Sequence, residues 1–105
     1  MLIGVPPNFH YPIHRHLDTD EFYFVLRGSL YVSSFDSSGI ELNCIELIPF
    51  TDTSISTHGF IMERDVFHDT RAGADGALFL EVRSGPFDRT KTKFFGSFHA
   101  PSAMY

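Results

Sequence analysis

Apolar residues in this chain fall into short runs that are cut by turn-forming residues every ten positions or so, and nowhere do they recur at the spacing of a helix face. Short strands without helical crossovers must bury sheet against sheet. That leaves a sandwich or a closed barrel, either of which covers two faces and limits exposed edges. The fold class expected is therefore all-β. Residues 21–27 carry apolar side chains at both alternate positions, as a strand covered on two sides would, and Gly28 ends the run. Residues 29–35 and 40–48 read as an antiparallel pair, because Asp36, Ser37, Ser38 and Gly39 between them supply the short polar side chains and the φ > 0 residue of a hairpin turn. Further strands are expected at the start of the chain, near 59–62, near 66–71 and over 77–82, with turns at Glu63–Asp65 and at Gly73–Gly76. From Ser84 the alternation stops. A barrel core over about residues 2–83 and an irregular aromatic tail over 84–105, with Phe94, Phe95 and Phe98 packing back on a sheet edge, make one domain.

The 105 residues leave room for one core and no second independent one. Twelve Phe and four Tyr supply enough apolar area to set disorder aside. A net charge of −5 with no Lys/Arg cluster excludes the grouped cations from which nucleic-acid binding draws its affinity. Cys44 is the single cysteine, so no intramolecular disulfide framework exists, and a reducing cytoplasm is the expected setting. No run approaches the ~18 apolar residues of a membrane span, and the first residues lack the layout of a signal peptide. The chain passes from Met1 straight into what reads as a strand, so a preceding segment is expected to be missing or supplied by a partner subunit.

The stretch HRHLDTDE, from His14 to Glu21, carries the chemistry. Side chains two apart on a strand share a face, so His14 and His16 present their imidazoles side by side, with backbones ~6.5 Å apart. Glu21 is five residues on, an odd offset that an unbroken strand would send to the other face. Asp18, Thr19 and Asp20 favour the local hydrogen bonds of a turn, which lets Glu21 open the next strand and face both histidines. His68 shares a face with Val66 and Thr70 and is the candidate fourth donor. Three imidazoles and one carboxylate leave two or three positions open on a six-coordinate divalent ion. Asp18 and Asp20 are alternative oxygen donors, more naturally turn caps. His10, His58 and His99 stand alone, and of these His10 has the best claim, being in register with His14 and His16 if the strand begins early. Tyr23 shares the face of Glu21, as do Val25 and Arg27, and either lines a ligand pocket or packs in the core.

With these residues in place, the sequence resembles the cupin superfamily, whose first motif reads G-x5-H-x-H-x(3,4)-E-x6-G. His14, His16, Glu21 and Gly28 match it in identity and spacing, and Asn8 stands for the leading Gly. Of the second motif, G-x5-P-x-G-x2-H-x3-N, His68 remains, while Glu63, Asp65 and Ala72 replace Pro, Gly and Asn. Within the superfamily the likeness is to the WbuC-type cupin-fold metalloproteins, small bacterial proteins associated with O-antigen gene clusters. It rests on residues 13–16, 21–28 and 80–88 and on the Phe-rich tail with Ala100 and Pro101. It implies a jelly-roll β-barrel, a divalent metal (Zn, Fe, Mn, Ni or Co) held by His14, His16, Glu21 and His68, pairing into homodimers, and a few dozen residues usual before this point. It does not supply a reaction.

Three functions fit these residues. The first is a metal-dependent enzyme, of isomerase, epimerase or dioxygenase type, acting on a sugar or sugar-nucleotide-related molecule, with Tyr23 or His10 as proton donor. The second is a non-catalytic module that binds a small ligand such as a carbohydrate. The third is a structural dimerisation barrel.

Overall fold

In the computed structural model, described over residues 1–52, 57–85 and 88–96 and for the backbone alone at residue 89, seven strands follow in chain order. They are β1 (Leu2–Val5), β2 (His10–His16), β3 (Glu21–Phe35), β4 (Glu41–Leu47), β5 (Gly59–Met62), β6 (Phe67–Arg83) and β7 (Thr92–Phe94), with one 3-10 turn at Arg89–Lys91. All strand pairs are antiparallel. No helix among the described residues is long and apolar enough to cross a membrane.

Two long strands carry the architecture. β3 and β6 run against each other from Glu21 opposite Arg83 to Phe35 opposite Phe67. At 15 and 17 residues they far exceed the ~5–6 of an ordinary strand, and both change course midway. The first half of β3 pairs with β5, and the second half of β6 pairs with β1. The second half of β3 pairs with β4, and the first half of β6 with β2, whose other edge takes β7. One sheet thus doubles over into two facing halves. The pairing path β4-β3-β6-β2-β7, with β1 and β5 as branches, is open, and among the described residues no ladder closes it into a ring.

The turns expected at Gly28 and at Gly73–Gly76 lie inside these continuous strands. The same residue that can reverse a chain can also bulge it. Gly28 and Gly76 have φ of 73° and 77°, and the register of β3 slips on both sides of Gly28. The slip exchanges the faces of the strand. Glu21, Tyr23 and Val25 point inward before it, and Leu30 and Val32 after it. Arg27, expected on the face of Glu21, is exposed instead. The outer side of β3 is also less covered than its continuous hydrophobicity suggested, with Phe22 and Leu26 at the surface. At the crossing the two bends touch, and a Cβ at position 28 would overlap the carbonyl oxygen of Gly76.

The hairpin at 36–39 forms as the sequence predicts. Gly39 takes φ 86°, and the Asp36 carboxylate accepts from the amides of Ser38 and Ile40 at 2.9 Å. The tail is less irregular than expected, since β7 adds a strand beside β2. Phe98, His99, Ala100 and Pro101 lie outside the described residues. Ile3, Val25, Leu30, Leu47 and Phe79 form the dry part of the core between the two halves. Beyond Tyr23 and Met62 the interior turns polar.

Candidate metal centre

The polar end of the interior is built from cross-strand pairs. His14 stands opposite His68, His16 opposite Thr92, and Glu21 opposite both Arg83 and Met62. The three imidazoles project from one half of the doubled sheet and the carboxylate from the other. Donor atoms of His14, His16, Glu21 and His68 all lie within 4.8 Å of one another, and each residue is at most 3% exposed.

The local turns that aim these side chains are tied to one another. The 17–20 loop is pinned by the Leu17 amide on the Lys91 carbonyl at 3.1 Å and by Asp20, which pairs with the Arg64 guanidinium at 3.2 Å. Asp65 takes φ 63°, the left-handed conformation, which an Asp tolerates better than most non-Gly residues. Its amide donates to the His16 carbonyl at 2.6 Å, and its carboxylate meets Arg15 at 3.3 Å. Asn8 likewise has φ 59°. Both departures from glycine therefore keep the backbone shape, and His68 is delivered into the interior.

Each ring is held by its Nδ1. His14 donates to the Pro12 carbonyl at 2.7 Å and His68 to the Val66 carbonyl at 2.9 Å, in both cases two residues back along the strand. His16 Nδ1 lies 3.0 Å from the Thr92 hydroxyl. A carbonyl only accepts, so Nδ1 of His14 and His68 carries the proton; in the neutral ring Nε2 of His14 offers its lone pair inward, while Nε2 of His68 faces Glu21 Oε1 across a gap that a proton or a metal ion must fill. Nε2 of His16 and His68 lie 2.9 and 3.1 Å from one oxygen, Glu21 Oε1. Two donors ~2.1 Å from a shared ion and about a right angle apart are themselves ~3 Å apart, so this spacing suits ligands of one centre. Among the described residues, the buried His14 Nε2 has no hydrogen-bond partner. Burial, with the neighbouring His68, holds the His14 ring well below its ordinary pKa, so it is neutral and ready to donate a lone pair. The residues present fit a divalent transition metal.

Behind the carboxylate lies a second layer. Burial pushes Glu21 up, but hydrogen bonds with His16 and His68 outweigh it and hold the carboxyl well below the usual range. Its Oε2 accepts from Arg83 Nε at 3.2 Å, and Tyr23 donates its hydroxyl to Oε1 at 3.1 Å. Arg83 also binds Glu81 at 2.9 Å, and burial together with Glu21 pushes Glu81 up to about 8. Arg83 and Glu81 were not singled out from the sequence, although a signal exists. Both are in phase with the inward Ala77 and Phe79, and a charge in core phase needs a buried partner.

The other candidate residues go elsewhere. His10 opens β2, but a bulge between Tyr11 and His14 exchanges the faces of that strand. His10 therefore points outward, half exposed, and pairs with Asp69 at 2.7 Å, so it is not in reach of the reaction role expected of it. The Asp69 side chain is 14% exposed. His58 braces the backbone through the Ile48 carbonyl at 3.0 Å. Asp18 is exposed beside Thr19, and Asp20 serves the loop, so neither replaces Glu21.

No family model matches the sequence, and no curated protein matches it. The fold is similar to solved structures. Oxalate decarboxylase of Bacillus subtilis is 20% identical with a TM-score of 0.71, over 89% of this chain and 22% of that one. A TDP-quinovose 3,4-ketoisomerase from Campylobacter jejuni is 18% identical with a TM-score of 0.73, over 90% of this chain and 68% of the other. A 3,4-ketoisomerase from Helicobacter canadensis is 16% identical with a TM-score of 0.69, over 88% and 64%. The chain thus spans about a fifth of the decarboxylase and about two thirds of the ketoisomerases. At these identities the likeness shows the fold, which is that of cupins.

Proposed function

We propose that this chain is a WbuC-type cupin that holds one divalent transition metal on His14, His16, Glu21 and His68 and acts on a sugar or sugar-nucleotide-related small molecule, in the cytoplasm, as a homodimer. The observation that carries the reading is the convergence of four buried donors, one of which, His14 Nε2, has no other partner among the described residues. The sugar-related substrate class draws its support from the ketoisomerases that share the fold, and from the resemblance to proteins of O-antigen clusters.

When bound, the ion supplies Lewis-acid polarisation of a carbonyl or hydroxyl oxygen. Glu21 neutralises part of its charge, and Arg83 keeps the second carboxylate oxygen occupied so that Oε1 faces the rings. Tyr23, whose hydroxyl donates to that oxygen, would hand a proton to a ligand at the centre. The second reading is a non-catalytic module in which the same four donors hold the ion and a small ligand binds without being turned over.

Metal-loaded protein incubated with nucleotide-linked 4-keto and 3-keto sugars, with and without oxygen, and followed by proton NMR separates the two readings. The enzyme reading expects a product whose formation stops in Tyr23→Phe while metal content is kept. Saturable binding with no turnover under every condition selects the binding module.

A further inference from the structure

The two halves of the doubled sheet differ sharply on their outer faces. Around the second half of β3 that face is polar, with Glu46, Tyr31 and Arg71 adjacent across three strands and the His10–Asp69 pair alongside. Around the first half the described side chains at its centre are apolar, and Arg27, opposite Leu78, stands exposed at one border. Outward positions there are Ile61 on β5, Phe22 and Phe24 on β3, Leu80 and Val82 on β6 and Leu2 on β1, with Gly59 and Gly4 at the two edge strands. Register places them in contact. Ile61 and Val82 flank Phe22, Leu80 stands between Phe24 and Leu2, and the Phe22 and Phe24 rings stack at 6.4 Å. Phe50 stacks on Phe24 from the adjoining loop at 6.3 Å.

Ile61 is 61% exposed, Leu2 60% and Val82 49%. Given the size of such side chains, the patch leaves on the order of 500 Å² of contiguous apolar surface. A stable pairing needs ~800 Å² per partner with an apolar centre and a polar rim, and this patch supplies that centre at the right scale. The charges lie at the border, with Arg27 and Asp75 beside Gly4 and Leu78, so the centre gives a charged partner nothing to select. A second copy matches it by symmetry, since in a twofold contact the same residues meet themselves and sheets stack face to face.

We propose that two copies of this chain pack these faces together, burying Phe22, Ile61, Leu80 and Val82 at the centre. This gives the homodimer reading a location, on the flat of the sheet, and it rests on that reading but not on the metal. The test is the solution mass of purified protein at micromolar concentration, by light scattering after size exclusion, for the wild type, Ile61→Glu, Val82→Lys and, as a control on the β4 edge, Leu42→Glu. Ile61, Val82 and Leu42 are all exposed, and circular dichroism with metal content checks that each variant folds. The expected result is a dimer for the wild type and Leu42→Glu, and a folded monomer for the other two, with at least tenfold weaker association. A dimer that survives both Ile61→Glu and Val82→Lys overturns the face and leaves the dimer standing. A wild-type monomer overturns both.

Discussion

A His68→Ala variant is expected to bind zinc or another divalent transition metal roughly a hundred- to a thousand-fold more weakly than the wild type. Structural sites of four donors gain ~10–16 kcal/mol on binding, so one donor accounts for ~3–4 kcal/mol of it. His68 is chosen because both its nitrogens face oxygens, the Val66 carbonyl and Glu21 Oε1, so Nε2 needs either a proton or a metal ion between it and the carboxylate. Alanine removes that donor and leaves Glu21 with His16, Arg83 and Tyr23. Competition titration against a chromophoric chelator measures the change. A second readout is the rise in melting temperature on adding metal, which follows from binding to the folded state only and shrinks as affinity falls. His10→Ala, outside the cluster, is expected to bind as the wild type does. Equal affinity for His68→Ala and wild type would remove this residue from the site.

The second large effect is on stability. Gly28→Ala is expected to destabilise the fold by more than ~3 kcal/mol, since it combines a left-handed backbone conformation with a collision against backbone. For a domain of this size that lowers the melting temperature by roughly 15 °C or more. The added Cβ meets the Gly76 carbonyl, which cannot move without unpairing β6 from β1 where Val5 faces Ala77. Gly85→Ala separates the two contributions. Its φ of 66° is equally strained, but nothing among the described residues lies within 4 Å of the added carbon, so its loss should be about 1 kcal/mol. Similar melting temperatures for the two variants would mean that the crossing at Gly28 tolerates a side chain.

The donors that the sequence revealed are those governed by alternation alone. His14 and His16 are two apart on one strand, Glu21 opens the next after a turn of Asp and Thr, and His68 sits in phase with a strand pattern. What stayed hidden depended on register and bulges. His10 was read in phase with His14 because nothing in the residues between them marks the bulge that turns it outward. Gly28 and the 73–76 stretch were read as ends of strands because a glycine serves a reversal and a bulge equally well, and only the partner strand decides. Arg83 reaches Glu21 across 62 positions of sequence, and Thr92 reaches His16 across 76, distances over which a local pattern carries no information. β7 is three residues long, too short to establish a period.

Whether His14, His16, Glu21 and His68 hold an ion is decided by metal content. Freshly purified protein, and protein dialysed in turn against Zn, Fe, Mn, Ni and Co salts and desalted, is assayed by plasma mass spectrometry beside His14→Ala. Close to one transition-metal ion per wild-type chain is expected after at least one of these treatments, with strong depletion in the variant. A folded wild-type chain that stays metal-free throughout, or that carries the same amount as His14→Ala, contradicts the assignment of these donors.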